Sequence, residues 1–145
     1  MDLSTARSLR MPGTRTKGML EADISEAVIR FEKEYMGRGP LEARTYIVDD
    51  MVIVRLRGVL TSAERQLAQS GDPGNGRELI KQMRHALLEK GRPLLEAVIL
   101  DVLKVPVRSL HTDLSTITGE RVIIFSLEAR PELPAEEGSS EREPQ

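Results

Sequence analysis

The chain has no cysteine and no tryptophan among its 145 residues. The missing cysteine excludes disulfides, thiolate metal sites and cysteine nucleophiles. It also fits a reducing compartment, and the expectation is a cytoplasmic protein. Aromatic residues make up 3% of the chain, too few to build a base-stacking surface. Net charge is −2, so nothing in bulk attracts nucleic acid, and no such partner is expected. No apolar run approaches the roughly 20 residues of a membrane helix, so direct membrane insertion is not expected. The N-terminal stretch has no apolar segment of the secretory kind and reads as an extension. Histidine is scarce too, with only His85 and His111. A metal site needs three or four protein ligands, so no metal and no cofactor are expected. His111 and Asp113 share one face of a strand, and a triad can be drawn with Ser109 or Ser115. No nucleophile-elbow pattern supports it. No catalytic residue is assigned, and the protein is expected not to be an enzyme.

What the sequence does contain is a charge gradient and one dense central stretch. Residues 1–20 carry four basic groups and one acidic, while residues 131–145 carry five acidic and one basic. Such end-loaded charge reads as two solvated tails. Residues 1–19 are therefore expected to be a disordered extension, 20–130 a single domain, and 131–145 a disordered acidic tail.

The central stretch, Gly37 to Glu64, reads GRGPLEARTYIVDDMVIVRLRGVLTSAE. Gly37 is expected to cap a preceding helix, with Pro40 as the stop. Ala43–Val48 and Met51–Arg57 are rich in β-formers around Asp49-Asp50, the pattern of a hairpin. A two-residue primed turn wants positive φ at both positions, which Asp-Asp satisfies less readily than Asn-Gly. With that loop, Val48 faces Met51, Tyr46 faces Ile53 and Arg44 faces Arg55. Alternation then puts Ala43, Thr45, Ile47, Val52, Val54 and Leu56 on the core face. Arg44, Tyr46, Val48, Met51, Ile53, Arg55 and Arg57 take the other. Thr61 with Glu64 three residues on is a capping box, so a helix starts at Ser62.

Before this stretch, Ile24, Ala27, Val28, Phe31 and Tyr35 fall on one helical face from about Ala22 to Met36. Asp23 is the expected cap, and Glu26, Arg30, Glu32, Lys33 and Glu34 fill the rest. After it, the helix from Ser62 runs to about Gln69, and Gly71–Gly76 breaks the chain. That loop lacks the spacing of a phosphate cradle and reads as a linker. Arg77 to Lys90 is helical, with a stripe of Leu79, Ile80, Met83 and Leu87. Gly91-Arg92-Pro93 interrupts the pattern, which resumes to about Leu103 as one kinked helix or two. Val105–Thr112 and Arg121–Glu128 read as strands, the second apolar on both faces and so central. The resulting class is α+β: a four-stranded, mostly antiparallel sheet with helices on one face, in the order α-β-β-α-α(-α)-β-β.

The motifs G-R-G-P, T-Y-I-V-D-D and G-V-L-T-x-x-E stand in order and tightly spaced between Gly37 and Glu64. With them the chain resembles the MpsC-like family, small bacterial proteins named after a sodium-translocating, membrane-potential-generating system. The helix with Ile24, Val28 and Glu34-Tyr35 and the strand with Val122 and Phe125 fit as well. The likeness spans about residues 20–128. The family name implies a link to membrane ion translocation or bicarbonate supply, and it brings no active-site residues. A chain without a membrane span cannot itself be the pore. The resemblance therefore implies a soluble accessory or regulatory module with a membrane transport protein as partner.

Two uses of the second sheet face follow. Tyr46, Val48, Met51 and Ile53, extended by Val122 and Ile124, would form a homodimer interface. Arg38, Arg44, Arg55 and Arg57, with Tyr46, form either a small-anion site or a set of solvated arginines whose stems cover the sheet.

Overall fold

The computed structural model describes residues 15–69 and 73–134. Its elements are α1 (Lys17–Met36), β1 (Glu42–Val48), β2 (Met51–Arg57), α2 (Ser62–Ala68), α3 (Pro73–Leu103), β3 (Val107–Leu114) and β4 (Arg121–Leu127). The four strands form one sheet in the order β1-β2-β4-β3, antiparallel at every pairing. α1 packs on β1 and α3, α2 packs on α3, and α3 reaches β3. The fold is α+β, as the pattern of elements implies.

α1 starts five residues earlier than its apolar stripe suggests. Thr16 is the cap, and its hydroxyl accepts from the Met19 amide at 3.1 Å. Asp23, the expected cap, lies inside the helix and pairs with Arg15. The helix ends as expected, with Gly37 left-handed at φ 91°, a conformation that glycine adopts without a side-chain clash. Residues 1–14 of the expected extension lie outside the described residues.

The hairpin has the register that a two-residue loop dictates: Val48 opposite Met51, Tyr46 opposite Ile53, Arg44 opposite Arg55. Only the first loop residue, Asp49, has positive φ, at 54°. The capping box at Thr61 and Glu64 is present in both directions, with Thr61 N to Glu64 Oε1 at 2.9 Å and Glu64 N to Thr61 Oγ1 at 3.1 Å.

α3 departs most from expectation. It runs unbroken from Pro73, so Pro73 to Gly76 are helical rather than linker; Gly71 and Asp72 lie outside the described residues. Gly91 and Pro93 do not interrupt it. Gly91 is where α3 meets α1: a Cβ there would lie 2.2 Å from Phe31 Cε1. Pro93 is exposed, so the Glu89 carbonyl it leaves unpaired can bond to water. The buried stripe is Ile80, Arg84, Leu88, Leu95 and Ile99. Leu79 and Met83, expected on the inner stripe, are 48% and 47% exposed. Lys104, left-handed at φ 63°, ends the helix and delays β3 to Val107.

One core fills the space between helices and sheet. Ile24, Val28 and Phe31 of α1 meet Ile47, Val52, Val54 and Leu56 of the hairpin and Ile123 and Phe125 of β4. Each such burial contributes about 1.5–3 kcal/mol. The described chain continues past 130, where Pro131 is buried and Leu133 packs against the core. Residues 135–145 lie outside the described residues.

Candidate functional site

Three features stand apart from this core, and each follows from where alternation or helical period puts polar and apolar groups. The first is the open sheet face. Because all helices lie on the other side, Tyr46, Ile53, Ile124 and His111 form one cross-strand row, and Val48, Met51 and Ser126 the next. Tyr46 and Val48 are 41% and 49% exposed. Met51, Ile53, Val122 and Ile124 are half-buried.

The arginines expected beside this patch divide. Arg44, Tyr46, Arg55 and Arg57 line a shallow depression of about 300 Å³ with Glu42. Arg38 is not among them; its Nη1 donates to the Leu60 carbonyl at 2.7 Å and ties the loop after β2. The clustered cations are also neutralised. Glu42 lies 3.4 Å from Arg44 and 3.8 Å from Arg57, and Glu120 pairs with Arg55 and lies 4.0 Å from Arg57. The cluster is a rim of exposed ion pairs rather than a concentration of free positive charge.

The second feature escaped the sequence reading. Glu32 of α1, Glu64 of α2, Arg84 of α3 and Arg121 of β4 meet beneath the sheet, 1%, 7%, 2% and 2% exposed. Arg84 forks onto Glu64, Nε to Oε2 at 2.9 Å and Nη2 to Oε1 at 2.6 Å, and also donates to the Val59 carbonyl at 2.8 Å. Glu32 sits between the two guanidinium groups, 3.5 Å from each. Burial pushes the Glu32 carboxyl above its ordinary range against the pull of Arg121 and Arg84. Burial acts on Glu64 the same way, but hydrogen bonds from Arg84 and Thr61 outweigh it and hold that carboxyl low. Burial also lowers the Arg121 guanidinium. Glu32 was expected on the polar part of α1. The local sign was its spacing: it follows Ile24 and Val28 at steps of four, and Arg84 stands four residues from both Ile80 and Leu88.

The third feature is a cleft of about 310 Å³ above this network, lined by residues including Lys81, Arg84, His85, Thr112, Asp113 and Arg121. The His111–Asp113 pairing does not form a relay. His111 Nε2 meets Ser109 Oγ at 3.1 Å, on the exposed edge. Asp113 Oδ1 instead accepts from the Leu114 amide at 2.8 Å and pairs with Lys81 at 3.3 Å, contacts that hold its carboxyl below the usual range. Among the described residues no group of three or more His, Asp or Glu is disposed to hold a metal. No helix among them is long and apolar enough to cross a membrane.

Comparison with known proteins adds a family. The family described as "Na+-translocating membrane potential-generating system (MpsC)" matches residues 16–129. The chain is 43% identical over 113 residues to YbcI of Bacillus subtilis (strain 168), an uncharacterized protein; the match covers 78% of this chain and 89% of that one. No solved structure matches.

Proposed function

The chain belongs to the MpsC family, and from that membership we propose that it is a non-enzymatic, cytoplasmic accessory module of a membrane ion-transport system. It self-associates through its open sheet face and docks on a membrane transport protein. The observation that carries the self-association is the apolar patch on the open sheet face, with Tyr46 and Val48 exposed and Met51, Ile53, Val122 and Ile124 half-buried. Contiguous apolar patches of this kind are uncommon on monomers, and twofold pairing lets one patch satisfy its own copy. The ion pairs of Glu42 and Glu120 with Arg44, Arg55 and Arg57 flank it as a polar rim. The membrane link rests on the family description alone.

The test is sedimentation at micromolar concentration, wild type against Ile53→Glu. A charge in the centre of the patch dissociates the dimer and leaves a folded monomer. A wild type that sediments as a folded monomer, or a dimer that survives the substitution, removes the reading. A second reading, a small-anion-binding domain at the depression lined by Arg44, Arg55 and Arg57, requires the anion to displace Glu42 and Glu120 from these arginines. Melting temperatures with bicarbonate, phosphate or nucleotides test it, because a ligand that binds the folded state raises them by mass action.

A further inference from the structure

Arg121 is buried with part of its hydrogen-bonding capacity unmatched. It is 2% exposed, and a guanidinium carries five N–H donors. It makes one hydrogen bond, from Nε to Thr112 Oγ1 at 3.3 Å. Its Nη1 is buried with no hydrogen-bond partner, and so is the Glu32 Oε2 it faces. Arg84, by contrast, has spent its Nε and Nη2 on Glu64 and Val59. Thr112 holds Arg121 in place, since its hydroxyl also donates to the Val122 carbonyl at 2.9 Å. Buried donors left unmatched in a native structure call for an acceptor.

The acceptor has a place to sit. Arg121 lines the cleft between α3 and the β3–β4 hairpin, and two more nitrogen-bearing side chains, Lys81 and His85, stand on its α3 wall. Lys81 is held there by a single contact to Asp113, an exposed pair of the kind that contributes little. The carboxylates of Glu78 and Asp113 also line the cleft, Asp113 paired with Lys81; the guanidinium and ammonium groups only donate, so an occupant seated on them must accept, and it must be compact to fit about 310 Å³.

We propose that this cleft binds a small oxyanion, of the size of phosphate or a short carboxylate, seated on Arg121 and flanked by Lys81 and His85. Its oxygens add acceptors on the cleft side of Arg121, whose Nη1 faces the Glu32 carboxylate at 3.5 Å without a hydrogen bond, and charge-assisted bonds of this type are the strong ones. Most of the cleft is built from α3 and the inward-facing Thr112, Leu114 and Arg121, and it meets the open face at Asp113, which stands opposite Val122.

The experiment titrates the full chain with sodium phosphate and, separately, sodium acetate, against sodium chloride at matched ionic strength. Melting temperature and binding heat are followed. The expected result is saturable binding of at least one oxyanion, with no comparable effect of chloride. Lys81→Ala/His85→Ala removes two exposed side chains and leaves the fold intact; it weakens binding by about tenfold, the loss of roughly one charge-assisted bond. Arg44→Ala/Arg57→Ala leaves the affinity unchanged. Three outcomes overturn the proposal: no saturable binding of either anion, which assigns the cleft to water; equal affinity in wild type and Lys81→Ala/His85→Ala; or loss of binding only in Arg44→Ala/Arg57→Ala.

Discussion

Replacing Arg84 with alanine removes the centre of the buried ion network. Three hydrogen bonds of 2.9 Å or less disappear, two to Glu64 and one to the Val59 carbonyl. Glu64 keeps its bond from the Thr61 amide, but Glu32 loses one of the two cations that compensate its burial. Breaking a buried pair from one side costs about 3–5 kcal/mol, because the remaining charge stays buried without its partner. Domains of this size have about 5–15 kcal/mol in total. The expected drop in melting temperature is therefore roughly 10–20 °C. Arg84→Lys keeps the charge and loses the fork, and should fall between. Arg92→Ala is the control, for it deletes a partly exposed pair with Glu96 at 2.8 Å on the same helix and should cost no more than about 1 kcal/mol. Urea unfolding followed by circular dichroism measures all three. If Arg84→Ala costs no more than Arg92→Ala, the network is not what joins α1, α2 and α3 to β4.

Glu32 and Glu64 should give opposite pH limbs. The folded carboxyl of Glu32 lies above its ordinary 4.5, so its contribution is complete below that value and is lost as pH rises through the folded pKa. Glu32→Gln should abolish that loss. Glu64 lies below 4.5 when folded, so its contribution is present above 4.5 and is lost as pH falls through the folded pKa. Glu64→Gln should abolish the acid limb, and denaturation midpoints from pH 3 to 8, a window roughly spanning carboxyl titration, will read both. Gly91→Val should destabilise by about 1–3 kcal/mol through overpacking, because a Cβ would lie 2.2 Å from Phe31 Cε1. Wild-type thermal stability in that variant would show that α1 and α3 can separate freely.

The hairpin was legible in the sequence because its determinants are local. Period-two alternation, a two-residue loop and a capping box each act within a few residues, and together they fix the register and the two faces. The open face was legible for the same reason, since Val48, Met51 and Ile53 share a face in any register that buries Ile47, Val52 and Val54. The buried network was not, because Glu32, Glu64, Arg84 and Arg121 come from four elements and each reads locally as a solvated charge. α3 is apolar on two sides, with Leu79, Met83, Leu94 and Leu100 outward and Ile80, Leu88, Leu95 and Ile99 inward. Periodicity alone cannot choose between such stripes. Gly91 read as a break because a helical glycine and a chain-breaking one look alike until Phe31 is placed against it. Arg38 stands near Arg44, Arg55 and Arg57 in the sequence, but its bond to the Leu60 carbonyl takes it out of their cluster.

The absence of native cysteine allows self-association through the sheet to be mapped one position at a time. Tyr46→Cys and Ile53→Cys place a single thiol on the open face, and Met83→Cys and Leu94→Cys place one on the outer side of α3. Each variant is treated with a short bis-maleimide at micromolar concentration, and covalent dimer is measured by denaturing electrophoresis. Rapid cross-linking from the sheet positions and little from α3 is the predicted result. Cross-linking from α3 alone, or from neither face, would contradict the account.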